Sequence, residues 1–333
     1  MAKIKPSKGA PYARIMGVGG YRPTRVVPNE VILETIDSSD EWIRSRSGIA
    51  TRHWASPEET VTAMSVEAAG KAIADAGITP EQIGGVIVST VSHFKQTPAV
   101  ATEIADQIGA NKPAAFDISA GCAGFGYGLT LAKGMIVEGS AEHVLVIGVE
   151  RLSDLTDLED RATAFLFGDG AGAVVVGPAQ EPAIGPTVWG SEGDKSETIK
   201  QTVPWTDYRD GSVEKFPAIT QEGQAVFRWA VFEMAKVAQQ ALDAAGITVA
   251  DLDVFIPHQA NMRIIDSMVK TLKLPEHVTV ARDVETTGNT SAASIPLAME
   301  RLLATGQAKS GDTALVIGFG AGLVYAATVV TLP

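Results

Sequence analysis

Two stretches of this chain repeat each other. Residues 70–90 read GKAIADAGITPEQIGGVIVST, and residues 239–259 read QQALDAAGITVADLDVFIPHQ. The shared AGIT begins at Ala76 and at Ala245, an offset of 169. In each copy a helix, a glycine C-cap, a short acidic turn and an apolar strand follow one another. A second pair agrees: VLVIG at 144–148 matches ALVIG at 314–318, an offset of 170. Each of these leads into a glycine-rich apolar strand, 168–176 in one case and 320–330 in the other. Two concordant offsets define two halves of one topology, 1–180 and 181–333, joined by a polar, Pro/Gly-rich excursion around 178–222. Strands alternating with amphipathic helices make the class α/β.

The duplication places the chemistry. Cys122, the single cysteine of the chain, lies in DISAGCAGFGYG (117–128). A short strand over 114–118 precedes it. A helix over 128–138, ended by Gly139, follows. The small neighbours Ala120, Gly121, Ala123 and Gly124 allow a sharp strand-to-helix turn and close substrate approach. At a helix N-terminus the dipole favours the thiolate, so Cys122 is a candidate nucleophile. A small buried core cysteine is the competing reading.

From Cys122 to Gly139 is 17 positions, and from Asn289 to Gly306 is also 17. The count puts Cys122 and Asn289 at equivalent elbows of the two halves. His258, in FIPHQAN (255–261), follows a strand and Pro257 and stands level with Ser89 of the first copy. All three residues are expected beyond carboxyl ends of strands, where open α/β sheets build their sites. The remaining histidines, 53, 93, 143 and 277, read as structural. Gly318–Gly322 and Gly17–Gly20 fail as dinucleotide loops, because neither opens a fitting βαβ unit. A glycine-rich turn at 318–322 can instead aim a backbone N–H at a developing oxyanion. No Cys/His pair has metal-ligand spacing.

The formal net charge is -12, which argues against a nucleic-acid binder. One cysteine excludes an intrachain disulfide and suits a reducing compartment, so a cytoplasmic location is expected. The lysine-bearing N-terminus has no apolar core, so no secretory signal is expected. Apolar runs such as 144–149 are strand-length, so no membrane segment is expected.

Taken together, these motifs resemble the β-ketoacyl-acyl carrier protein synthase III family of the thiolase superfamily. The Cys122 elbow, His258 in PHQAN, Asn289 in GNTS, the GDGAGA run and DEWIRSRSGI (40–49) fall in that family's order, across essentially the whole chain. The resemblance implies a five-layer αβαβα thiolase fold with two pseudo-symmetric halves. It implies that Cys122 is acylated by an acyl-CoA and then discharged by the carbanion from decarboxylated malonyl-acyl carrier protein. His258 and Asn289 would bond the malonyl thioester oxygen as it becomes enolate-like. Backbone N–H groups of Cys122 and Ala321 would form the acyl oxyanion hole, although the family commonly has glycine at position 321.

Further roles follow from the resemblance. Trp42, Arg46 and Arg161 match positions that hold the adenine and neighbouring phosphate of coenzyme A. Gly223 and Phe227 match the pantetheine tunnel. Arg263 matches a docking position for the acidic carrier protein; Lys270 and Lys273 follow at spacings of seven and three, on one helix face, and Arg228 is a possible neighbour. Loop 91–98 corresponds to the loop of a homodimer that caps the partner's acyl pocket. Thr97 stands there where some acetyl-specific members carry Phe, which leaves room for branched or longer primers. No cofactor is implied beyond coenzyme A thioester as substrate. The alternatives are a paralogue with the same triad and another acceptor, or a non-catalytic acyl-CoA or carrier-protein binding protein.

Overall fold

The computed structural model describes residues 3–333. Its first five-stranded sheet contains β1 (Tyr12–Tyr21), β2 (Ile83–Ser89), β3 (Ala114–Ile118), β4 (His143–Arg151) and β5 (Asp169–Ala179), in the spatial order β1-β5-β4-β2-β3. The second contains β6 (Val188–Ser191), β7 (Val254–Pro257), β8 (Thr279–Val280), β9 (Thr313–Gly320) and β10 (Val324–Thr331), in the order β6-β10-β9-β7-β8. The two orders are the same pattern. So are the directions: β2 runs parallel to β3 and β4, as β7 does to β8 and β9, and the other pairings are antiparallel. The chain leaves one sheet at Ala179 and enters the other at Val188.

The helices that concern the site are α1 (Asp40–Ser47), α2 (Val61–Asp75), α3 (Val100–Gln107), α4 (Gly124–Glu138), α5 (Gly223–Ala245), α6 (Met262–Leu272) and α7 (Ser294–Ala304). Helices α4 and α7 lie between the sheets. Phe125 and Leu129 of α4 and Ile295 and Met299 of α7 pack with residues of both sheets in one core. Helices α2 and α3 cover the outer face of the first sheet, and α5 and α6 cover that of the second. The result is five layers, αβαβα. A sheet covered on both faces needs apolar residues at every position, which explains the unbroken run Val144–Val149 in β4. Val144 and Val146 face the central layer, and Leu145 and Ile147 face α2 and α3.

Three sequence expectations are corrected. Helix α4 begins at Gly124 rather than 128, preceded by a 3₁₀ turn at Gly121–Ala123 that contains Cys122. Gly139 ends it in the left-handed conformation, φ +85°, as expected. The counterpart turn in the second half is Ser291–Ala293, which runs into α7. It pairs Cys122 with Ala292 and leaves Asn289 three residues upstream. Helix α7 has 11 residues where α4 has 15, so counting back from the closing glycine overshoots by about a turn. Finally, 178–222 is more than a connection. It supplies β6 and a small ribbon, Ile199–Gln201 with Ile219–Gln221.

The level placement of His258 holds. Ser89 lies beside Gly148 in β4, and His258 follows Pro257, whose partner in β9 is Ile317. The His258 N–H donates to the Ile317 carbonyl (2.7 Å).

Candidate active site

Cys122, His258 and Asn289 line one cavity of about 190 Å³. The first sheet and α4 supply Cys122. The end of β7 supplies His258, and the loop before α7 supplies Asn289. Val91, Leu152, Phe167, Ile199, Trp229 and Phe319 give the cavity an apolar wall. Ala321 lines it beside Gly121 and Cys122. The chain of β9 presses on Cys122: a Cβ on Gly320 would lie 2.9 Å from Cys122 Sγ and 3.0 Å from its backbone N. The expected glycine-rich turn is therefore largely strand, with glycine demanded by close approach, and the turn itself begins at Ala321.

Cys122 is half-exposed to the cavity but deep in the molecule. Burial pushes its thiol up to about 12; the Ser291 hydroxyl pulls it down, and the nearby Glu150 carboxyl adds to the rise. The resting group is the thiol, so the expected thiolate is not the ground state here. Burial opposes the pull of the helix N-terminus toward the thiolate.

His258 is buried, and burial presses its pKa down to about 3. It is neutral at physiological pH. Its Nδ1 lies 2.7 Å from Ser294 Oγ, and the Gln259 N–H also reaches that oxygen (3.3 Å). Phe319 packs edge-on to the ring at 5.4 Å.

Asn289 is clamped by its own backbone. Its N–H donates to the Leu166 carbonyl (2.9 Å), and its carbonyl accepts from the Gly168 N–H (3.0 Å). Its Oδ1 accepts from the Ser291 N–H (2.9 Å). With Oδ1 taken, Nδ2 is the end of the amide left to donate. Behind this clamp lies Arg52, fully buried, which donates from Nη2 to the Phe165 carbonyl (2.7 Å) and to Asn29 Oδ1 (2.7 Å).

A second cavity of about 660 Å³ opens beside the first and shares Gln221, Val226, Ala260, Ile264 and Asn289 with it. Trp42, Arg46, Gly223, Phe227, Arg228 and Arg263 line it. The guanidinium carbons of Arg46 and Arg161 stand 5.5 and 5.0 Å from the Trp42 ring centre, and that of Arg263 stands 4.8 Å from Phe227. Asn261 ties the two sides of this mouth. It caps α6 at the Arg263 N–H (2.9 Å) and donates to the Arg46 carbonyl (3.0 Å).

Not every expected residue comes to the site. Thr97 is exposed and lies outside this chain's own cavities. Lys270 is exposed on α6, away from the lining. Lys273 does not share the helix face; it is the left-handed C-cap of α6, φ +53°. His53 and His277 bond backbone carbonyls, in keeping with structural roles. Among the described residues no cluster of His, Cys, Asp or Glu fits a metal ion, and no helix is long and apolar enough to cross a membrane.

Ser294, Ser291, Glu150 and Arg52 were not singled out in the sequence. Ser294 had a signal, since at offset 170 it replaces Gly124, which stands against Ser89 as Ser294 stands against His258. Glu150 had one too, as a charge closing an apolar run.

Five layers, a duplicated sheet and a cysteine elbow facing a buried histidine and a clamped asparagine define a condensing enzyme of the thiolase-like class. Residues 116–193 match the family model for 3-oxoacyl-[acyl-carrier-protein] synthase III, and residues 242–332 match its C-terminal model. A β-ketoacyl-[acyl-carrier-protein] synthase III of Streptomyces glaucescens is 90% identical over all of both chains. The mycobacterial enzyme of that name from Mycobacterium marinum is 54% identical over 100% of this chain and 99% of its own. Among solved structures, the priming β-ketosynthase of the R1128 polyketide pathway superposes with TM-score 0.97 at 46% identity, covering 100% of this chain and 99% of its own. The synthase III of Aquifex aeolicus superposes at 0.88 with 38% identity, covering 96% and 99%. The chain belongs to the β-ketoacyl-acyl carrier protein synthase III family and is an acyltransferase.

Proposed function

We propose that this enzyme joins an acyl-CoA primer to malonyl-acyl carrier protein by decarboxylating Claisen condensation, giving the 3-oxoacyl-carrier protein that starts an acyl chain. The carrying observation is the convergence of Cys122, His258 and Asn289 on one apolar cavity. The Cys122 sulfur attacks the primer thioester, and coenzyme A leaves as its thiol. Backbone N–H groups of Cys122 and Ala321 hold the tetrahedral oxyanion. Malonyl-carrier protein then loses carbon dioxide, and the electron pair of the broken C–C bond moves onto the thioester oxygen. A neutral His258 suits this step. With Ser294 donating to Nδ1, the ring proton sits on Nε2 and faces the cavity, beside Asn289 Nδ2. Two fixed donors then act where negative charge develops. The carbanion attacks the acyl carbon and expels the Cys122 thiolate. Coenzyme A is a substrate in this scheme, and no separate cofactor enters it.

The second cavity suits the body of coenzyme A. Trp42 between Arg46 and Arg161 offers stacking and charge to the adenine and its phosphate, and Gly223 and Phe227 border the path inward. Arg263 and Arg228 at its rim suit an acidic carrier protein, with Lys270 and Lys273 farther out. A homodimer is supported by the free edge strand β3, whose apolar residues are only half-buried, and by the exposed cluster of Phe94, Trp205 and Phe216. Thr97, exposed on the loop of Phe94, would cap the partner's acyl pocket. The two halves, 1–180 and 181–333, act as one unit of a cytoplasmic enzyme.

The test is intact-protein mass after incubation with a panel of acyl-CoAs, then with malonyl-carrier protein. An acyl adduct on the Cys122 peptide that malonyl-carrier protein discharges supports the reading and ranks the primers. An adduct that persists favours another acceptor, a reading to which the R1128 priming enzyme lends weight. No adduct with any primer overturns both.

A further inference from the structure

Strand β4 ends with a carboxyl group that the scheme above does not use. Glu150 is fully buried. Its Oε2 accepts from Ser92 Oγ (2.6 Å), from the Val91 N–H (3.1 Å) and from Thr90 Oγ1 (3.3 Å). Ser92 Oγ is held in turn by the Arg151 N–H (2.7 Å). Its Oε1 is buried with no hydrogen-bond partner. A carboxyl placed for structure alone would have both oxygens satisfied or a cation beside it. Glu150 has neither. The neighbouring Arg151 guanidinium pairs with Asp154 (2.9 Å). On β5, Gly170 lies opposite Glu150, and Asp169 turns its carboxyl to Ala55 and Ser153. Cys122 is the titratable group on which the Glu150 charge acts. The Ser291 hydroxyl stands near both and lowers the pKa of each.

Acylation requires the Cys122 thiol to lose its proton. A buried thiol held near 12 does not do so by itself at neutral pH. His258 is a poor acceptor, since burial holds it near 3 and Ser294 occupies Nδ1. Burial lifts Glu150 to about 7, so it changes charge in the range where such an enzyme works.

We propose that Glu150, acting through the Ser291 hydroxyl, receives the Cys122 proton during acylation and returns it to the departing sulfur of coenzyme A. The inference rests on the acyl-enzyme reading above. As Sγ attacks the thioester carbon, its proton passes to Ser291 Oγ and the Ser291 hydroxyl proton passes to the Glu150 carboxylate. The carbon–sulfur bond to coenzyme A breaks with its electron pair on that sulfur. Reversal of the relay then protonates it, leaving S-acyl Cys122, free coenzyme A thiol and an ionised Glu150. Glu150 touches no substrate atom and is a positioning residue for the nucleophile's proton.

The experiment is the pH profile of acylation, read by intact mass from pH 5.5 to 9.5, for the wild type, Glu150→Gln, Glu150→Asp and Ser291→Ala. The wild-type rate should rise through the ionisation of Glu150 and level off above about pH 7. Glu150→Gln should lose the plateau, rise with pH throughout, and be roughly 100-fold slower near neutrality. Glu150→Asp should restore a plateau at an intermediate rate. Circular dichroism and coenzyme A binding check folding. Should Glu150→Gln fail to fold, Ser291→Ala carries the test, with the same loss of plateau expected. A wild-type profile in Glu150→Gln, or in Ser291→Ala, overturns the relay. Absence of any adduct on the wild type would instead sink the acyl-enzyme reading.

Discussion

Gly121 and Ser291 hold the same backbone conformation, φ +47° each, at the same place in the two halves of the molecule. Each opens a 3₁₀ turn that leads into a central-layer helix. In the first half the next residue is Cys122; in the second it is Ala292. The duplicated elbow thus carries a cysteine once only. The second copy contributes instead the clamped Asn289 just upstream and Ser294, the partner of His258, just downstream.

The room around Cys122 depends on the absence of a side chain at Gly320. A Cβ on Gly320 would sit 2.9 Å from Cys122 Sγ and 3.0 Å from the Cys122 backbone N, which cannot move cheaply. Gly320→Ala is expected to slow acylation at least 100-fold while the protein stays folded. Acyl transfer to Cys122 by intact mass, alongside circular dichroism, measures it. Unchanged acylation would mean that β9 can back away from the elbow.

The fold was legible because duplication is written into the sequence at offsets 169 and 170, and His258 could be placed level with Ser89 from those strands alone. The equivalence of Cys122 and Asn289 was misplaced because α7 is about a turn shorter than α4, and sequence spacing does not show where a helix begins. The seven-and-three spacing places Lys273 on the helix face for the same kind of reason, since spacing does not show its left-handed cap conformation. Ser294 and Glu150 each sit in a run that reads as packing; the offset of 170 and the charge closing an apolar run mark them, and tertiary contact shows what each faces.

Ser294 sets the tautomer of His258 in this account. Ser294→Ala removes the partner of Nδ1 and lets the ring proton shift away from Nε2. Discharge of the acyl-enzyme by malonyl-carrier protein should slow about 10- to 100-fold, with acylation changed less than threefold. The same discharge step has a pH signature. Burial lowers the His258 pKa to about 3, so the charged ring is disfavoured and the neutral donor persists as pH falls. Single-turnover discharge on the pre-acylated wild type should therefore be flat between pH 5 and 8. A fall centred near 6.5 would show a solvated histidine and contradict the assignment.

At the rim of the outer cavity, Arg263 stacks on Phe227 and is exposed. Arg263→Glu is expected to raise the KM for malonyl-carrier protein about 10-fold or more, with the effect shrinking at high salt. Acylation by acyl-CoA should change much less. Steady-state kinetics at two ionic strengths checks this, and equal loss in both half-reactions would remove the docking role.

Thr97 is exposed, outside the cavity of its own chain. If it caps the partner's acyl pocket, Thr97→Phe should shift preference toward acetyl-CoA over branched or longer primers. Competition among acyl-CoAs, scored by adduct mass, reads it directly. An unchanged profile would place the pocket's limit elsewhere.

The central claim is a division of labour, with Cys122 of the first half accepting the acyl group and His258 and Asn289 of the second half driving decarboxylation. The most direct measurement compares the two half-reactions in His258→Ala: the acylation rate by intact mass, then carbon dioxide release from malonyl-carrier protein on the pre-acylated variant. The account predicts acylation within about threefold of wild type and decarboxylation slowed at least 100-fold. Decarboxylation at the wild-type rate, or acylation lost to the same degree as decarboxylation, would contradict it.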